Sequence, residues 1–123
     1  MTSKVNGTYI EEWRQITLIP KEGGVGMRMK HRATMFKAIS DEKRQRILKV
    51  LQKSETCMHR LAEETDIPQS SLSYHMKILR EAGLVQRRED GKWTYYRICE
   101  EGAKRFIGEL ENLAQNYGEY FGK

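Results

Sequence analysis

The chain has 123 residues, 38% hydrophobic and 32% charged, which allows one small folded unit with an appendage and excludes a large multidomain enzyme. Lys and Arg number 22 against 17 Asp and Glu, and the resulting +5 suits a polyanionic partner. The excess sits in residues 1–32 and 69–99, each at +3, against +1 for 33–68 and −2 for 100–123.

In chain order, residues 1–32 read as an arm. A short mixed stretch over 9–19 stops at Pro20, and the run Gly23-Gly24-Val25-Gly26 has the backbone freedom of a hinge. A helical pattern begins at Ala33, with Met35, Phe36 and Ile39 on one face. Ser40, followed by Asp41 and Glu42, reads as the N-cap of a second helix whose apolar stripe is Ile47, Leu48, Val50 and Leu51. A short extended piece over 56–58 leads to a third helix over 59–65, with Leu61 and Ala62 inward, ended by Asp66-Ile67-Pro68.

Only a few residues then separate it from a fourth helix over 69–82, which is helix-turn-helix spacing. At 100° per residue Leu72, Met76 and Leu79 lie on its inner side, flanked by Ala82 and by His75, read as a packed core histidine. The outer side carries Ser70, Ser73, Tyr74, Lys77 and Glu81, with Gln69 and Arg80 at its edge. Hydroxyls and amides can bond base edges and the cations can neutralise phosphates, although a solvated face would look similar.

Two strand-like runs, 84–88 and 93–98, flank Glu89-Asp90-Gly91-Lys92 and form a hairpin, or wing, with Arg87, Arg88 and Lys92 near its tip as phosphate contacts. Trp93, Tyr95 and Tyr96 follow along the returning strand, some rings packed and others outside. A last helical pattern over 100–121 places Ala103, Phe106, Ile107, Leu110, Leu113, Ala114 and Tyr117 at spacings of three and four. That stripe is longer than a small core needs and reads as a dimer seam, with packing inside the same chain as the alternative.

The expected fold is therefore mainly α with a small β-hairpin wing, a winged helix-turn-helix dimerising through terminal helices. Its divisions are an arm (1–32), a DNA-binding unit (33–99) and a dimerisation helix (100–123). Two cysteines are too few for a secreted disulfide framework, no signal-peptide pattern opens the chain, and residues 16–20 fall far short of the roughly 20 apolar residues of a membrane span. A cytoplasmic protein is expected. No glycine loop for phosphates and no convergent nucleophile, acid or base set is present, so no enzymatic activity is expected.

The stretches 38–48, 61–63, 70–85 and 91–98, in this order, closely resemble the ArsR/SmtB family of winged-helix transcriptional regulators, over residues 33–99. The resemblance implies a homodimeric repressor on a palindromic operator in double-stranded DNA, released by an effector that is often a metal or metalloid ion. Where the family carries a Cys-x-Cys pair, this chain has Cys57-Met58-His59. Cys57 and His59 are candidate metal ligands, short of a complete set, with His31 and Cys99 as recruits. Cys57 and Cys99 are candidates for a redox role, and a buried, inert Cys57 with a surface His59 is the plain alternative. Arg28, Lys30 and Arg32 in the arm are candidates for a minor groove. The rival function is a winged-helix module that binds protein rather than an operator.

Overall fold

The computed structural model describes Trp13 and residues 24–115. In order, the elements are α1 (Gly24–Ile39), α2 (Glu42–Leu51), β1 (Thr56–Cys57), α3 (Met58–Thr65), α4 (Gln69–Glu81), β2 (Val85–Asp90), β3 (Trp93–Ile98) and α5 (Glu100–Leu113). This is the expected mainly helical architecture with a β-hairpin wing. Among the described residues no helix is long and apolar enough to cross a membrane.

The first helix begins at Gly24, not at Ala33, so part of the supposed hinge is its opening turn. Glycine's unfavourable helix propensity is overridden by tertiary contacts along the far end of the chain. Arg28 and Arg32 both reach the buried Glu109 carboxylate of α5 at 2.8 Å, and Arg32 also donates to Asn112 at 2.7 Å. One turn on, the rings of Phe36 and Phe106 meet edge to face at 5.5 Å. The continuous helix crosses residue 32, where the arm was expected to end.

Asp41, rather than Ser40, caps α2: its Oδ1 accepts from the Lys43 and Arg44 amides at 2.7 and 3.3 Å. Ser40 belongs to the preceding turn, its hydroxyl donating to the Lys37 carbonyl. Burial works against ionisation of Asp41, but the two amides and the Arg44 charge prevail and hold its carboxyl below the ordinary value.

Asp66, at φ 61°, takes the left-handed conformation that ends α3, Ile67 is fully buried, and Pro68 stands at the N-cap of α4. Three residues thus turn the chain between the helices, and Ile67 pins the turn to the core. After α4, Gly83 adopts a φ of 79° and Leu84 donates back to Leu79 at 3.0 Å, which sends the chain into the wing. The strands pair antiparallel in the order β1-β3-β2, with Asp90 opposite Trp93. The first strand therefore runs to Asp90, two residues past its expected end, and the turn is Gly91-Lys92. Gly91 has the positive φ, as a tight hairpin with glycine at its first central position requires.

Met35, Ala38, Ile47, Leu51, Leu61, Ile67, Leu72, Met76, Leu79, Leu84, Val85 and Tyr96 form one core. It takes residues from four helices and the inner face of the hairpin, and so gives α4 a rigid seat. The start of α5 packs on the end of α4: a Cβ on Gly102 would overlap the Gly83 carbonyl oxygen. Phe106 is half-buried against the core, whereas Ile107, Leu110 and Leu113 are exposed. Tyr117 and the end of the expected helix lie outside the described residues.

Candidate nucleic-acid interface

The inner face of α4 is buried through Leu72, His75, Met76 and Leu79. That leaves Gln69, Ser70, Ser73, Tyr74, Lys77 and Glu81 exposed, with Tyr74 the most prominent ring at 62%. The sequence pattern placed every one of these residues on this side. Arg80 is half-buried toward the wing instead, where it and Arg87 both act on the buried Tyr96 phenol. Burial pushes that phenol above its ordinary value and the two cations pull the other way, so Arg80 and Arg87 converge at the crease between α4 and the hairpin.

His75 fixes α4 to the end of α1 through a polar relay that no local pattern signals. The buried Arg44 guanidinium donates to the Ala38 carbonyl at 2.6 Å and to His75 Nδ1 at 3.0 Å. Since arginine can only donate, Nδ1 is the acceptor and the imidazole is neutral, with its proton on Nε2. Desolvation first, then the charge of Arg44, depresses its pKa, against the opposing pull of Asp41. The histidine is a packed hydrogen-bonded core residue, as its position at the inner margin suggested.

On the wing, Lys92 is exposed at the turn and Arg87 pairs with Glu89. Arg88 departs from its expected place at the phosphates. Its guanidinium bonds Glu55 at 2.8 Å and lies 4.5 Å from the centroid of the Tyr95 ring, leaving 10% of the side chain accessible. The pleat explains it: Arg87 pairs with Tyr96 on the core side, while its neighbour Arg88 pairs with Tyr95 on the outer side, beside β1. Of the three rings, Tyr96 is buried, Tyr95 is partly covered and Trp93 is exposed.

Cys57 is the N-cap residue of α3 and its thiol makes no capping bond. His59 is exposed and pairs with Glu63 at 3.3 Å. Among the described residues no three His, Cys, Asp or Glu side chains form a group able to hold a metal ion, so the metal that the resemblance implies does not fit the donors described here. Cys57 lies opposite Tyr95, and Cys99 comes four residues later, just past the end of β3, roughly 13 Å away at about 3.3 Å per residue. A disulfide needs α-carbons within about 7 Å, so the two cysteines are not a redox pair within one chain. Cys99 is buried, its sulfur accepts from the Gly102 amide at 3.3 Å, and burial pushes its thiol up, away from the reactive thiolate.

A polar helix held outward by a helix-turn-helix core, with a hairpin beside it, defines a winged-helix DNA-binding transcriptional regulator. Residues 41–87 match the model of the bacterial regulatory protein arsR family. The chain is 35% identical to an uncharacterised helix-turn-helix-type transcriptional regulator of Methanocaldococcus jannaschii, over 66% of its own length and 92% of that protein. It is 39% identical to the arsenical resistance operon repressor of Bacillus subtilis, over 60% of this chain and 71% of that one. A homodimeric winged helix-turn-helix DNA-binding domain from Mycobacterium bovis superposes with a TM-score of 0.59 at 26% identity, over 77% of this chain and 88% of that one. The chain belongs to the arsR family.

Proposed function

We propose that the protein is a homodimeric repressor of the cytoplasm that places α4 of each copy in successive major grooves of a palindromic operator. The observation that carries this reading is the rigid outward presentation of Ser70, Ser73, Tyr74 and Lys77 from a helix whose opposite face is fully buried. Ser70, Ser73 and Tyr74, with Gln69 at the helix start, meet base edges or position the helix. Lys77 and Lys92 meet phosphates, joined by Arg80 and Arg87 from the crease. Arg88 is left out of this set, because Glu55 and Tyr95 already occupy it.

Dimerisation runs through the exposed stripe Ile107, Leu110 and Leu113 of α5, supported by the homodimeric state of the Mycobacterium bovis relative. In this reading the chain divides into an arm ahead of α1, a reading unit and a dimerisation helix (100–123), and the boundary expected at residue 32 falls inside α1. Catalysis is no part of the reading, and no step runs through a metal.

Titration of random and operator duplexes over a range of salt, together with gel-filtration mass, tests it. Dimeric mass with affinity that falls steeply with salt is the expected result. A monomer that ignores duplex at every salt would replace the proposal with a protein-binding module. Elemental analysis of the reduced protein, with Cys57→Ala as control, addresses the effector: no stoichiometric metal is expected.

A further inference from the structure

Trp13 is far in sequence from Arg88 and Arg97, which it touches, and only 4% of it is accessible. Its ring lies 4.2 Å from the Arg97 guanidinium carbon and 5.1 Å from that of Arg88. The pairing of Gln86 with Arg97 and of Arg88 with Tyr95 puts all four side chains on one face of the hairpin, opposite the face that Val85 and Tyr96 bury in the core. On that outer face Arg97 donates to Gln86 at 3.0 Å and Arg88 is held by Glu55 and stacks on Tyr95. Trp13 thus covers one cation from each strand of the wing, with Arg88 between its ring and that of Tyr95.

A two-stranded ribbon with one bare face is poorly held, and β1 pairs with β3 over only two residues, Thr56 and Cys57. The outer layer supplies what the ribbon lacks, through cation–π contacts strengthened by the burial of the ring. We infer that Trp13 is a clamp on the outer face of the wing and that it sets the angle at which Arg87 and Lys92 meet duplex backbone. The second half of this inference rests on the DNA-binding reading above; the first half does not. Trp13 is a positioning residue here, since it acts through the hairpin. Its indole N–H is buried without a hydrogen-bond partner among the described residues, so the stack, not a hydrogen bond, holds the ring.

The chain has two tryptophans, so Trp93→Phe leaves Trp13 as the sole indole probe. Its emission is expected to be blue-shifted and weakly quenched by acrylamide, and Arg97→Gln in that background is expected to raise the quenching. In Trp13→Ala, amide exchange in β2 and β3 is expected to speed up about tenfold, with α4 and the gel-filtration mass unchanged. Affinity for the operator duplex falls by about the same factor with a shallower salt slope, and Trp13→Phe restores both, since Phe keeps the ring and lacks the unsatisfied donor.

A freely quenched indole in Trp93→Phe overturns the clamp, as does wild-type exchange of the wing in Trp13→Ala or failure of Phe to restore it. Faster wing exchange with unchanged operator affinity overturns the DNA half alone. Should Trp13→Ala not fold, the quenching of Trp93→Phe decides on the clamp. Should the wild-type protein bind no duplex, the DNA-binding reading fails, while quenching and exchange still judge the clamp.

Discussion

The outward faces of α4 and α5 are both exposed and chemically opposite. On α4 the side chains facing solvent are hydroxyls, an amide, a phenol, a lysine and, at the end, the Glu81 carboxylate; on α5 they include Ile107, Leu110 and Leu113. A polar face on a rigid helix suits a hydrated polyanion, whereas an apolar stripe in water favours burial against another apolar surface. The two faces are joined where Gly102 of α5 meets the Gly83 carbonyl at the end of α4, so that one copy's reading surface is set relative to its dimerising surface by a backbone contact. The lesson is that solvent exposure alone says little, and the chemistry of what is exposed separates the partners.

The strongest way to break this contrast is to make the α5 face resemble the α4 face. Leu110→Glu is expected to halve the gel-filtration mass and to lower operator affinity by about two orders of magnitude, because two linked half-sites gain that much from simultaneous engagement. Unchanged mass would remove α5 from the dimer seam.

The joint comes next. Gly102→Ala forces a methyl group into the Gly83 carbonyl, and a loss of about 2 kcal/mol in denaturant unfolding is expected for such overpacking.

On the α4 side, Lys77→Ala is expected to weaken binding to all duplexes alike and to lower the salt slope by about one unit, while Ser73→Ala changes sequence preference with the slope retained. Equal behaviour of the two variants would erase the division between phosphate and base contacts.

The smallest effect is on pH. The folded imidazole of His75 titrates below its ordinary 6.5, by desolvation and by the charges of Arg44 and Lys43 against Asp41. Below pH 6.5 the unfolded chain takes up a proton that the native state refuses, so the stability that the neutral imidazole contributes is lost as pH falls through the folded value. His75→Gln keeps an acceptor for Arg44 and is expected to flatten that part of the stability profile. A profile identical to wild type would mean that His75 titrates alike in the folded and unfolded chain.

Most of the reading surface was legible in the sequence, because helical periodicity sorts residues by side whatever they pack against. Leu72, Met76 and Leu79 went in, and Ser70, Ser73, Tyr74 and Lys77 came out. The wing was legible from Asp90-Gly91, though its turn fell at Gly91-Lys92. What could not be read was the destination of long charged side chains. Arg44, Arg88 and Arg32 look alike in sequence, and each is held by a group far along the chain: His75, Glu55 and Glu109. Trp13 belongs with them, since no local pattern links it to Arg88 and Arg97.

The sequence by itself determined the order of the elements, the sidedness of α4 and the apolar stripe of α5, since these follow from spacing and from backbone preferences that act over a few residues. Tertiary structure decided which cations remain available to a partner, how far α1 extends, and that Cys57 and Cys99 stay apart. Those outcomes depend on charge pairing and strand register between segments tens of residues distant, where one specific neighbour outweighs any local tendency.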